Sequence, residues 1–126
     1  MNKAIHTENA PAAIGPYSQG IKTGNTIYVS GQIPIDPATG GFAGDDIRVQ
    51  TRQSLTNIKN ILAAADADMS DVVKTTVLLA DINDFAAMNE EYAAFFTEPY
   101  PARACFAVAA LPKNAKVEIE VVAVIN

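Results

Sequence analysis

The sequence predicts an α+β fold, a mixed sheet with two helices packed on one face. Several short runs are rich in β-branched and aromatic residues or alternate at period two, as strands do. Two longer runs repeat their apolar residues at helical spacing. The elements follow the order strand, strand, strand, helix, strand, helix, strand, strand, which suits a two-layer domain. The chain of 126 residues has room for one core, so a single domain spanning 1–126 is expected. Apolar residues make up 49% and charged residues 18% of it, a balance that favours a folded globular chain over a disordered one.

Lys3 to Thr7 reads as a short edge strand, and Asn9, Pro11, Gly15 and Pro16 then enforce a loop. Gly20 to Thr23 is a brief strand closed by Gly24-Asn25, a pair that tolerates positive φ. Thr26 to Pro34 is a strand interrupted by Gly31, and a glycine there marks a bulge or a close approach to the backbone. Asp36, Pro37, Thr39, Gly40 and Gly41 form a turn cluster. Asp45 or Asp46 caps the next helix, about Ile47 to Ala65, whose Leu55, Ile58, Ile61, Leu62 and Ala65 lie on one stripe. Ser70 is a further candidate cap, ahead of a strand over Lys74 to Ala80. Asn83 or Asp84 caps a second helix, Phe85 to about Phe96, with Phe85, Met88, Tyr92, Phe95 and Phe96 as its apolar stripe, and Pro99 and Pro101 stop it. Arg103 to Ala109 and Val117 to Val124 close the chain as strands. Helices on one face leave the other face of the sheet uncovered, and its many apolar residues predict oligomerisation.

Charge and cysteine usage narrow the function. The net charge of −5, with no basic run, works against an electrostatic grip on nucleic acid. One cysteine permits no internal disulfide and fits a reducing compartment. The N-terminal stretch MNKAIHTENAPAA has no apolar core of the kind a secretory signal needs. No apolar run approaches the roughly 20 residues needed to span a bilayer, so a soluble cytoplasmic protein is expected.

The most informative stretch is PARACFAVAALPKNAKVEIE, Pro101 to Glu120, which sets charges into strand-like apolar runs. Side chains two apart share a face of a strand, which groups Arg103, Cys105, Ala107 and Ala109, and groups Glu118, Glu120, Val122 and Val124. Pro112, Lys113 and Asn114 supply a loop. An antiparallel hairpin of the two strands is therefore expected, bringing an arginine-cysteine face near a glutamate face as a pocket wall.

Taken with other blocks, this stretch resembles the reactive-intermediate deaminase, or YjgF/RidA, family. Pro101-Ala-Arg-Ala-Cys, Leu111-Pro and Val117-Glu-Ile-Glu are similar to its C-terminal signature. Ala13-Ile-Gly-Pro-Tyr-Ser-Gln-Gly, Val29-Ser-Gly-Gln-Ile-Pro and Asn83-Asp-Phe with Asn89 before Tyr92 are similar to its other blocks, in the same order over essentially the whole chain. The resemblance implies a chorismate-mutase-like fold and a homotrimer with clefts between subunits. It also implies hydrolysis of 2-imino and enamine acids, such as 2-aminoacrylate and 2-iminobutanoate, to 2-keto acids and ammonia, without metal or organic cofactor. The Pro99-Tyr100 lead into Pro101 falls where the family varies, so Tyr100 is expected to shape the cleft rim and substrate size.

Imine hydrolysis needs a group to orient the substrate, a means to activate water and a proton route. Arg103 suits the first, because its planar fork matches a carboxylate and stays charged; the alternative is an ion pair with Glu118 or Glu120. Glu118 is the choice for water and protons, by its alignment with the family's catalytic position, with Glu120 as the alternative on the same face. Burial would raise the Glu118 pKa and a nearby Arg103 would oppose the rise, and the residues alone leave that contest open. Cys105 lacks a histidine partner, since His6 lies far off in an N-terminal strand, which argues against covalent catalysis, and the resemblance implies a place for Cys105 in the cleft lining. One His and one Cys also make no zinc site.

The resemblance places Tyr17, Ser30, Gly31 and Asn89 at the cleft. Each also has a plain structural reading, respectively an anchored phenol, a hydroxyl satisfied by backbone, a bulge, and a solvated helix side chain. Two other functions stay open at this level. One is a module that binds 2-keto acids without turnover; the other is an RNA-cleaving translation inhibitor, which the acidic composition disfavours.

Overall fold

The computed structural model describes all residues, Met1–Asn126. Its strands are β1 (Asn2–Ile5), β2 (Gly20–Thr23), β3 (Thr26–Gln32), β4 (Val72–Leu79), β5 (Ala102–Ala107) and β6 (Val117–Val124), and its helices are α1 (Ile47–Ala63) and α2 (Phe85–Ala93). All six strands join one mixed sheet in the order β1-β2-β3-β6-β4-β5. Every pairing is antiparallel except β4 with β5, which run parallel. The α+β class, the two helices and their order stand as the sequence predicts.

The expected β5–β6 hairpin does not form. β4 lies between them, pairing with β6 on one side and β5 on the other. A parallel strand needs a crossover, and the segment containing α2 supplies it between β4 and β5. Strand β6 then inserts between β3 and β4, where both of its edges are paired.

Alternation along β6 sorts the two faces. Val117, Ile119, Val121 and Ala123 are buried under the helices, whereas Glu118 and Glu120 point to the opposite face. Ile27 and Val29 of β3 and Thr75, Val77 and Leu79 of β4 complete the covered face, against Leu55, Ile58, Ile61 and Leu62 of α1 and Met88 and Tyr92 of α2. Tyr28 and Phe106 stand about half exposed on the other face.

The caps refine the sequence reading. Asp46 caps α1, accepting a hydrogen bond from the Arg48 N–H at 2.6 Å. Asp68, and not Ser70, caps the short turn before β4, in a reciprocal capping box with Asp71. Asp81 caps the turn that leads into α2, where Asp84 makes no side-chain bond. Gly24 takes φ +58 in the two-residue turn between β2 and β3. Ion pairs Arg48–Glu90 and Arg52–Glu91 tie α1 to α2 at 2.8 and 2.9 Å.

Candidate active site

The sequence-predicted residues fall into two groups on opposite faces of the sheet. Arg103 pairs in register with Thr75 of β4, and Thr75 pairs with Val121 of β6, so all three face the helices. Glu118 pairs with Leu78, which pairs with Phe106, so these three face away. The hairpin that would have joined Arg103 to Glu118 is absent, and so is the ion pair between them that the residues alone allowed. Within one chain Arg103 meets no carboxylate.

The arginine group gathers along one side of α2. Arg103 Nη1 donates to Asn89 Oδ1 at 2.7 Å. Its guanidinium carbon lies 4.8 Å from the centre of the Tyr92 ring and 5.5 Å from that of Phe85, within cation–π range of both. Tyr100, Pro101 and Ala93 join Arg103, Asn89 and Tyr92 around a hollow of about 490 Å³. Cys105 shares the Arg103 face and packs half-buried against the core. Burial pushes its thiol pKa up, with the Arg103 charge pulling the other way, an environment that suppresses the thiolate.

The carboxylate group forms on the other face. Glu118, Glu120, Tyr17, Ser30 and Gly31 border a hollow of about 550 Å³, together with Lys113 and the apolar Ile14, Ile33 and Ile35. The β3–β6 register slips between Val29 and Gln32, placing a bulge at Ser30-Gly31. Glu118 fills the space beside Gly31, where a Cβ would come within 2.1 Å of its Oε2. Both readings of that glycine, bulge and close approach, therefore hold together, and the approaching group is a carboxylate. Burial first, and then the Glu120 charge, raise the Glu118 pKa. Arg103 has no part in that shift, because it sits across the sheet.

The loop walling this hollow is tied down by Gln19. Its Oε1 accepts from the Thr7 N–H at 2.8 Å, and its Nε2 donates to the carbonyls of Thr7, Ala10 and Pro11. The Ser30 hydroxyl donates to the Ser18 carbonyl at 2.6 Å, so its plain structural reading applies within the chain. Tyr17 is 53% exposed and lines the hollow, which sets aside an anchored phenol.

Sequence reasoning passed over three residues here. Lys113 was only a loop residue, yet it and Asn114 take left-handed φ of 55 and 59, and Lys113 enters the carboxylate hollow. Its signal was the Pro112-Lys113-Asn114 turn beside the glutamates. Thr75 and Phe85, set around Arg103, left no mark beyond ordinary core patterning.

Residues 7–125 match the model of a family described as Endoribonuclease L-PSP. The chain belongs to this family, the YjgF/RidA family. It is 56% identical over 127 residues to the 2-iminobutanoate/2-iminopropanoate deaminase of Salmonella typhimurium, covering 98% of each. Among solved structures it is similar to the E. coli YjgF gene product, at 54% identity and a TM-score of 0.94, over 98% of this chain and 99% of that one. E. coli TdcF with bound serine is similar at 48% identity, with the same TM-score and coverage.

Proposed function

We propose that this family member hydrolyses 2-imino acids such as 2-iminobutanoate, and their enamine tautomers, to 2-keto acids and ammonia. The observation that carries this reading is the division of the site. One face offers an arginine fork with a single donor engaged by Asn89; the other offers a carboxylate of raised pKa beside two ordered loops. A cleft between two copies, in a homotrimer, unites them, and the apolar open face bearing Leu78 and Phe106 supplies the contact. Relatives at 56% identity named as deaminases support the same reading.

In that cleft Arg103 holds the substrate carboxylate and Glu118 takes a proton from water. The water oxygen bonds to C2 of the protonated imine, giving a carbinolamine. Glu118 then returns its proton to the amine, and as the C–N bond breaks the carbinol oxygen becomes the keto carbonyl and gives its own proton back to the Glu118 carboxylate. Glu118 passes that proton to the departing ammonia, so ammonium and the 2-keto acid leave and Glu118 is ionised again. A raised pKa suits a group that must both accept and return a proton near neutrality. Tyr17, Gly31, Asn89 and Cys105 border the substrate. The ribonuclease reading fits poorly, since two carboxylates line the hollow of a chain carrying net charge −5.

Coupling the protein to a threonine dehydratase tests the proposal. Release of 2-ketobutyrate should accelerate, and the acceleration should vanish with Arg103→Ala. Equal release with and without the protein refutes it.

A further inference from the structure

The Tyr92 ring that faces the Arg103 guanidinium is anchored by a buried hydroxyl pair. Thr75 is fully buried on the helix-covered face of β4, where a hydroxyl without a partner would be costly. Its Oγ1 lies 2.8 Å from the phenol oxygen of Tyr92, which reaches down from α2. Phe96, with its ring centre 4.6 Å away, flanks the Tyr92 ring. The ring is thus held at its tip by Thr75 and at its side by Phe96.

Arg103 is the in-register neighbour of the same Thr75 on β5, and its side chain runs out to the Tyr92 ring. Both ends of the arrangement therefore meet at Thr75, once through the sheet and once through the phenol. Burial pushes the Tyr92 pKa up, so the phenol keeps its proton at neutral pH and the hydroxyl pair persists.

We infer that Thr75 and Tyr92 are positioning residues for Arg103, fixing the plane of the guanidinium that meets the substrate carboxylate. The inference rests on the arginine role proposed above. A long, exposed arginine samples many rotamers, and a seat that restricts them lowers the entropy lost when the carboxylate is bound. Asn89 sets one Nη from the side, while the ring sets the plane. Thr75 touches no substrate in this arrangement, so its influence passes through Tyr92.

Thr75→Val removes the hydroxyl and keeps the branched shape, and Thr75→Ser restores the hydroxyl. With Thr75→Val, KM for the imine and the Kd of 2-ketobutyrate should both rise about five- to tenfold, the worth of one buried hydrogen bond, with kcat nearly unchanged. Thr75→Ser should recover most of this. In 15N spectra the Arg103 Nε–H signal should broaden or shift with Thr75→Val and return with Thr75→Ser, a readout independent of turnover. An unchanged Arg103 signal together with unchanged KM and Kd, even if the melting temperature falls, makes the pair merely structural and overturns the inference. Wild-type protein that neither turns over the imine nor binds 2-ketobutyrate overturns the arginine's proposed role instead, whatever the Arg103 signal does.

Discussion

Arg103 and Glu118 stand on opposite faces of one sheet, on strands β5 and β6 that flank β4. No side-chain motion within a chain brings them to one small substrate, because the packed sheet lies between them. If both serve one reaction, they come from different copies.

Mixing two inactive variants checks this directly. Arg103→Ala and Glu118→Ala should each be nearly inactive alone. Unfolded and refolded together, they should regain activity, because about a quarter of the inter-subunit clefts in random trimers pair an intact arginine side with an intact glutamate side. No recovery, with mixed trimers verified by mass spectrometry, argues for a site within one chain.

Gly31→Ala should disable the site and spare the fold. The new Cβ would meet Glu118 Oε2 at 2.1 Å, so the carboxylate must swing away, while the flexible glutamate end limits the damage to packing. Activity should fall at least about tenfold, the scale set by misplacing a proton-transfer group. Circular dichroism and the melting temperature should change little.

The raised pKa of Glu118 has a definite sign in stability. Below the ordinary carboxylate range the group is neutral folded and unfolded, and contributes no difference. As pH rises from that range to the higher folded pKa, the unfolded chain loses its proton first, so folding becomes less favourable, and the penalty then levels off. Glu118→Gln should therefore be more resistant to urea than wild type at neutral pH, with the advantage shrinking on acidification. Urea midpoints across pH, at matched protein concentration, measure it.

The same shift predicts the rate profile. The acid limb of kcat/KM should lie above the ordinary carboxylate range, and Glu120→Gln should move it to lower pH by removing the neighbouring charge. A limb unmoved by that change would assign the titration to another group.

Phe106 lies on the open face, 49% exposed, in register with Leu78, which stands between it and Glu118 on the same face. Phe106→Glu should give a smaller species by light scattering, with helix and strand content retained and deaminase activity lost. A species of unchanged size would move the contact elsewhere.

Much of the fold was legible because its signals are local. Apolar spacing in Leu55, Ile58, Ile61 and Leu62 exposes α1, and period-two alternation in Val117 to Val124 exposes β6 and the side on which its glutamates lie. Gly31 was readable as a bulge because strands rarely tolerate glycine otherwise. The capping residues were less legible, since Asp68 and Ser70, or Asp81 and Asp84, offer similar oxygens within a few residues and only the chain path selects one.

By itself, then, the sequence determined the elements, their order and the family, and named the candidate residues of the site. Strand pairing was decided only in three dimensions. Period-two alternation sorts residues within a strand, but carries no information on which strand lies alongside or how the faces of two strands correspond. The insertion of β4 between β5 and β6 turned an expected pocket wall into two half-sites on opposite faces. It also gave Arg103 its seat of Asn89, Tyr92 and Thr75, and left Glu118 with Glu120 as its charged neighbour. The Glu118–Glu120 pairing is local to β6, whereas Thr75, Arg103 and the α2 residues come from three separate elements that only long-range packing brings together.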